Sequence, residues 1–363
     1  MKHRDWSAWV TMFVLFFASL EAVAQQQTTY RLTLICKIVP TNPGVGCSVA
    51  DINNKGELVG SRHQTGGPPQ VAYIWRQGEF IELNSLLMNS DFAFAQAIND
   101  HSDVVGQFED AQVRRWAFLW QRGKVSLIEI APDHFAWNAW DINKRREVLL
   151  SAPDGHLPGG SFVWRARDGH LTRLDPLPGM EGAIGAVQLN NRGAVAGHGP
   201  AEPPAFVIPL LWEGGTVMQI QLPQGAVWGN TWAMNDRGVV VGVAVFPERA
   251  AGYRWQDGQA TELPSISPPG LLANTPLDIN NRGVIVGFSP VAGTESDVTA
   301  TLWPRRGDPV DLNTLIADDD PLKPFVRLVS ANLINDRGEI VASGRDSRDL
   351  PFGGGHWLLT PQR

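Results

Sequence analysis

Short apolar runs alternate with polar turns along almost the whole chain, and the alternation itself repeats. Seven segments carry an apolar residue, an asparagine, a short polar turn and a run rich in β-branched residues. They are DINNKGELVG from Asp51, AINDHSDVVG from Ala97, DINKRREVLL from Asp141, QLNNRGAVAG from Gln188, AMNDRGVVVG from Ala233, DINNRGVIVG from Asp278 and LINDRGEIVA from Leu333. The asparagines stand 44 to 47 residues apart, except for a last step of 55. A second apolar run follows each of them and ends at Trp75, Trp120, Trp164, Trp212, Trp255, Trp303 and Leu359. Runs this short, rich in valine and isoleucine and bounded by Asn and Gly, are strands and not helices.

One unit reads as two hairpins. Asparagine bonds the backbone two residues on, and the glycine after it supplies a left-handed turn position. Gly56, Gly193, Gly238, Gly283 and Gly338 fill that place, whereas Ser102 and Arg146 do not, and Arg146 costs about 1 kcal/mol there if it adopts a positive φ. Four short strands in about 45 residues is the pattern of a propeller blade. The fold expected is therefore all-β, a seven-bladed β-propeller of four-stranded blades. The last unit stops at Leu359-Thr360 after its third strand, and the unpartnered run 30–35 lies before the first unit. The N-terminal strand is thus expected to close the last blade, which removes the open edges a linear stack would leave.

The repeat resembles the HAF repeat of bacterial extracellular proteins. The residues that carry the likeness are AFLW at 117–120, with INNRG and VVG as companion motifs. The third unit departs from it, because both of its glycines are replaced, and the histidine of the name is mostly absent. The resemblance implies an extracellular, repeat-built protein and no particular activity.

The N-terminus agrees with export. Lys2 and Arg4 precede an apolar stretch over 9–20, and Ala22-Val23-Ala24 ends in small residues before Gln25. Residues 1–24 are read as a cleavable secretory signal and 25–363 as a single seven-repeat domain. The stretch is short of the roughly 20 residues that span a bilayer. Removal takes away two basic residues (Lys2, Arg4) and two acidic ones (Asp5, Glu21), so the net charge remains −7. A chain of that sign is a poor partner for nucleic acid. A monomer that is secreted or periplasmic is expected. Cys36 and Cys47 are the only cysteines, and in an oxidising compartment they are expected to pair.

Candidate chemistry is sought where units depart from their consensus, since the loops of repeat folds carry binding. Trp137, Asn138 and Trp140 lead into the third unit, and Trp228, Asn230 and Trp232 into the fifth. Flat rings beside amides suit stacking on a sugar or a small ligand, with the amides bonding hydroxyls. The competing reading packs these rings between blades. The partner expected is a glycan, peptide or small molecule bound at the loop face. An alternative is a lyase or hydrolase at the same mouth with His134 as acid or base.

His63, His156, His198 and His356 fall on the same face, yet no HxH or HExxH spacing marks a metal site, and no cofactor is expected. The acidic Glu109, Asp110, Glu248 and Asp318-Asp319-Asp320 serve acid/base chemistry or calcium in the sharper reading. A solvated turn before Pro321 is the simpler one for the last three. On the opposite face, Lys55, His101, Arg145, Arg192, Arg237, Arg282 and Arg337 precede the turn glycine position and would ring the mouth of the axis. No GxSxG elbow, phosphate loop or dinucleotide fingerprint is present.

Overall fold

The computed structural model describes residues 28–38, 46–63, 70–87, 90–131, 134–152, 160–180, 184–200, 207–267, 273–294, 297–349 and 353–362. Residues 1–24, read from the sequence as a secretory signal, and His156 lie outside the described residues. Within them the protein is all-β, with two short 3-10 turns and no helix long and apolar enough to cross a membrane.

The strands pair into antiparallel sets of four, in chain order. Sheet 1 joins Gly46–Ile52, Leu58–His63, Gln70–Arg76 and Glu79–Glu82. Sheet 2 joins Phe92–Ile98, Val104–Glu109, Arg115–Gln121 and Lys124–Leu127, and one parallel bridge from Gln70 to Phe92 links it to sheet 1. Sheet 3 holds Asn138–Ile142, Glu147–Ala152, Gly160–Arg165 and His170–Arg173. Gly185–Leu189, Val195–Pro200, Val207–Glu213 and Thr216–Gln219 make sheet 4. Sheet 5 is Trp228–Met234, Val240–Val245, Ala250–Gln256 and Gln259–Glu262. Thr275–Ile279, Ile285–Pro290, Val298–Trp303 and Val310–Asp311 form sheet 6.

Sheet 7 combines both ends of the chain. Val326–Ile334, Ile340–Asp346 and Gly354–Pro361 take Tyr30–Ile38 as their fourth strand, in the register Tyr30 to Pro361, Leu32 to Leu359 and Cys36 to His356. Asp320 fastens this strand further. It accepts the Leu32 N–H at 2.8 Å and the Leu322 N–H at 2.8 Å, and Arg31 pairs with Asp319. The acidic run is therefore a solvated turn only at Asp318 and Asp319, because Asp320 is 3% exposed. The Cys36–Cys47 disulfide joins the same strand to sheet 1.

Each sheet has two apolar faces, because strands buried on both sides lose the usual alternation. Seven hydrophobic clusters fill the gaps, one between each pair of successive sheets. The seventh lies between the chain's two ends, where Ile35, Val341 and Leu358 of sheet 7 pack with Ile52, Leu58 and Tyr73 of sheet 1. The repeat's tryptophans belong to these layers. The Nε1–H groups of Trp212 and Trp303 each donate to a backbone carbonyl, of Asp175 and Pro264 respectively, both at 2.7 Å.

Two backbone devices shape every first strand. A bulge places one extra residue in it, at Ala50, Gln96, Trp140, Val187, Trp232, Leu277 and Asn332. Beside the bulge the two strands approach closely, and a Cβ at Gly242 would lie 2.0 Å from the Asn230 carbonyl oxygen. Leu150 occupies that place in sheet 3 and Ala342 in sheet 7. Ser102 and Arg146 do take positive φ, of 65° and 59°. Each sends its side chain to the preceding unit's carboxylate: Ser102 Oγ bonds Glu57 at 2.6 Å, and Arg146 Nε bonds Asp103 at 2.7 Å. These contacts offset the backbone cost.

Candidate functional site

The shared asparagines do more than turn the chain. Each Oδ1 accepts two N–H groups of its own turn, as Asn235 does from Arg237 at 3.0 Å and Val239 at 3.1 Å. Each Nδ2 donates to the carbonyl of the next asparagine along the repeat. These bonds run from Asn53 to Asn99, Asn143, Asn190, Asn235, Asn280 and Asn335, and Asn335 returns to Asn53, at 3.0 to 3.3 Å. Reading them as turn formers was right for Oδ1 and missed Nδ2. The signal was that asparagine recurs seven times where aspartate, which makes the same turn, never does.

The next residues form a second layer around the same axis. The N–H groups of Asn54, Asn191, Asp236, Asn281 and Asp336 donate to the side chain of the neighbouring unit's equivalent residue at 2.7 to 2.8 Å. The Lys144 N–H likewise donates to Asn191 at 2.7 Å, but its side chain has no acceptor oxygen and pairs Nζ with Asp100 at 2.8 Å. A third layer holds Asp51, Asp141 and Asp278. Each carboxylate accepts its own following N–H and one from the next sheet, from Ile98, Leu189 and Ile334 at 2.7 to 2.8 Å. Together the layers line an axial cavity of about 150 Å³. Among the described residues no three His, Cys, Asp or Glu side chains converge as a metal site.

Burial pushes the Asp141 and Asp278 carboxyls up to about 6, and Asp51 well above the usual range, with the charge of Asp141 adding to Asp51. A carboxyl whose pKa is higher folded than unfolded contributes fully below its unfolded value, and its contribution is lost as pH rises through the folded one. His198 and His356, held down by burial, act in the opposite sense over the same window. The difference between wild type and Asp141→Asn cancels the histidines. Acidification from about pH 7.5 to about pH 5 should stabilise wild type relative to the variant by about 1 kcal/mol, measured by urea unfolding. Equal pH slopes would show that Asp141 is not raised.

Of the aromatic residues singled out in the sequence, Trp137 and Trp228 stand at the start of the same inner strands, whereas Trp140 and Trp232 lie within them, three residues before Asn143 and Asn235. Trp140 and Trp232 occupy the identical bulge position in sheets 3 and 5, and they remain 43% and 44% exposed. Trp137 is 47% exposed and Trp228 half-buried. Ser151 Oγ receives both the Trp140 Nε1–H at 3.3 Å and the Asn138 amide at 3.2 Å, which leaves the buried Asn138 Oδ1 without a protein partner. Asn230 is committed to the sheet, its Oδ1 accepting the Val243 N–H at 3.2 Å.

Sheet 4 lies between the two tryptophans, and its matching positions are small: Val187 at the bulge and Gly185 two residues before. The His198 imidazole covers Gly185, where a Cβ would stand 2.4 Å from Nε2. Burial keeps His198 below its ordinary pKa, and Nδ1 has no protein partner. Phe94 adds a half-buried ring in sheet 2, edge-on to Phe92 at 5.1 Å. The arc over sheets 2 to 5 thus offers two open indole faces.

The other sequence candidates are dispersed. His63 ends a strand of sheet 1, His356 is in sheet 7, and His134 belongs to the hairpin of Glu129–Ala131 with His134–Phe135, so they do not gather with His198. Asp110 is a loop organiser that accepts from the Gln112 and Arg114 N–H groups and from Trp116 Nε1. Glu109 pairs with Arg115 at 3.0 Å. The cations before the turn glycine are exposed on the opposite face, as read.

No family model matches this chain, and no curated protein does. Solved structures do. The β-propeller domain of the trilobed protease from Pyrococcus furiosus, described as having an open velcro topology, is 10% identical with a TM-score of 0.55, over 87% of this chain and 95% of that one. A puromycin-hydrolyzing peptidase of Mycobacterium tuberculosis is 12% identical with a TM-score of 0.52, over 87% of this chain and 54% of that one. An acylaminoacyl peptidase of Pyrococcus horikoshii is 11% identical with a TM-score of 0.51, over 83% and 49%. The chain spans about half the length of the two peptidases. At such identities the likeness concerns architecture alone, and the architecture this chain shares with them is the β-propeller.

Proposed function

We propose that the chain is a closed seven-bladed β-propeller working outside the cytoplasm as a binding module, with a saccharide held against Trp140 and Trp232. The closed ring is supported by the seven asparagine bonds that return to Asn53 and by the cluster joining sheets 7 and 1. Work in an oxidising compartment is supported by the Cys36–Cys47 disulfide. The HAF-like reading rests on its motif residues.

The observation that carries the binding reading is the exposure of the two bulge tryptophans. Every inner strand has the bulge, so indoles in only two of them are not required by the fold. Indole faces stack on the apolar faces of sugar rings.

Binding is measured by tryptophan fluorescence against a panel of neutral oligosaccharides. Trp140→Ala and Trp232→Ala should each weaken it about tenfold or more, by analogy with the 1–3 kcal/mol of stacked bases. Melting should barely change, since both rings are open to solvent. Unchanged binding in the double variant, or a large loss of stability from each substitution, would return these rings to a structural role.

A further inference from the structure

The face carrying the asparagine turns is divided in its charge. Two residues after each ring asparagine stand Lys55, His101, Arg145, Arg192, Arg237, Arg282 and Arg337, all exposed. Four residues after it the units differ. Sheets 7, 1, 2 and 3 have Glu339, Glu57, Asp103 and Glu147, while sheets 4, 5 and 6 have Ala194, Val239 and Val284.

The acidic residues receive the asparagine Nδ2, at 2.6 to 3.0 Å, and they also neutralise cations. Arg76 pairs with Glu57, Arg146 with Asp103, Arg145 with Glu147 and Arg337 with Glu339, at 2.5 to 2.7 Å. In the other three sheets that counter-charge is missing. Among the described residues no ion pair involves Arg192, Arg237 or Arg282.

These three arginines are neighbours. Their turns are joined by the bonds from Asn190 to Asn235 and from Asn235 to Asn280, and by Asn191 and Asp236 in the layer beneath. The Asp236 carboxylate is engaged there, receiving Nδ2 from Asn191 and Asn281 at 2.9 and 2.7 Å. The adjoining outer turn of sheet 6 adds Arg305 and Arg306, both exposed and also without an ion pair among the described residues. The Arg305 stem lies 3.5 Å from where a Cβ on Gly283 would stand, so it borders the Arg282 turn. Arg254 is held below its ordinary value by burial and by the charge of Arg305. Asp257 and Asp308, exposed in neighbouring outer turns, pair with none of these cations.

We infer that the sector of Arg192, Arg237 and Arg282 is a docking site for an acidic polypeptide segment. Guanidinium forks match carboxylates in bidentate pairs, and three of them in a row recognise a chain carrying carboxylates at intervals. A chain of net charge −7 that leaves guanidiniums uncompensated in a single sector presents a local field opposite to its overall sign. A segment touches that sector alone. An anionic membrane would lie over the whole face, including the half where carboxylates already neutralise the cations.

The test uses the oxidised full chain and a fluorescein-labelled peptide with glutamate at every third position, read by fluorescence anisotropy at low salt. Wild type should bind it, and the affinity should fall as salt is raised. Charge-assisted bonds of the usual strength make the triple variant Arg192→Gln, Arg237→Gln, Arg282→Gln bind about tenfold or more weakly. The variant Arg145→Gln, Arg337→Gln, at cations already paired, should change affinity less than about twofold. Oligosaccharide binding at Trp140 and Trp232 should be unaffected by either. Absence of binding by wild type, an equal loss in both variants, or tighter binding to phosphatidylglycerol vesicles or to dextran sulfate than to the peptide would overturn the inference.

Discussion

Asn235→Asp is expected to destabilise the protein by about 3–5 kcal/mol at neutral pH, as does leaving an unpaired charge in a protein interior. The substitution keeps the turn, because the first carboxylate oxygen still accepts from Arg237 and Val239. It replaces the Nδ2 donor by an oxygen facing the Asn280 carbonyl oxygen, now 3.0 Å from the donor. Position 239 is valine, so the Asn235 Nδ2 has no carboxylate partner four residues on, unlike the equivalent asparagines of sheets 1, 2, 3 and 7. Urea unfolding at neutral pH measures the loss. A buried carboxyl has its folded pKa above its unfolded one, so part of the loss should be recovered as pH falls and the protonated group regains a donor. Asn235→Ser, which brings no charge, should cost less. An aspartate variant as stable as wild type would mean that the inter-unit bond contributes nothing.

The second large effect concerns the ends of the chain. A truncated protein beginning at Gly46, with Cys47→Ser to avoid a free thiol, should lose cooperative unfolding. The deletion removes the buried Tyr30, Leu32 and Ile35 and uncovers Trp357 and Leu359. It also takes from the buried Asp320 the Leu32 N–H that it accepts. At about 1.5–3 kcal/mol for each buried apolar side chain, the loss is on the order of 6 kcal/mol, comparable to the whole stability of many domains. Reducing the disulfide alone should cost about 3 kcal/mol, because the strand stays paired. Calorimetry distinguishes the cases: one sharp transition near the wild-type temperature in the truncated chain would show that the N-terminal strand is not required.

What was legible in the sequence was local or periodic. The Asn–turn–Gly signals marked the first hairpin of each unit, because turn chemistry is decided within a few residues. The repeat also aligned Ser102 and Arg146 with the turn glycines, and the structure gives both a positive φ. The unpartnered run 30–35 and the strand missing from the last unit implied their pairing by counting alone.

Only the tertiary structure decided what crosses from one unit to the next. The asparagine Nδ2 reaches a carbonyl 44 to 55 residues away along the chain, or 282 between Asn335 and Asn53. Asp320 looked like the tail of a hydrated acidic turn, and it anchors a strand 288 residues distant. Asp51, Asp141 and Asp278 meet at one axis only once three sheets pack, and burial there raises their pKa. The tryptophans show the same division. Composition named all of them, but whether an indole fills a gap between sheets, like Trp303, or stands open at a bulge, like Trp140, depends on which residues the neighbouring sheet places opposite it. A sequence states a residue's chemistry and its period, whereas burial and charge compensation belong to pairs of residues, and those pairs exist only once the sheets have packed.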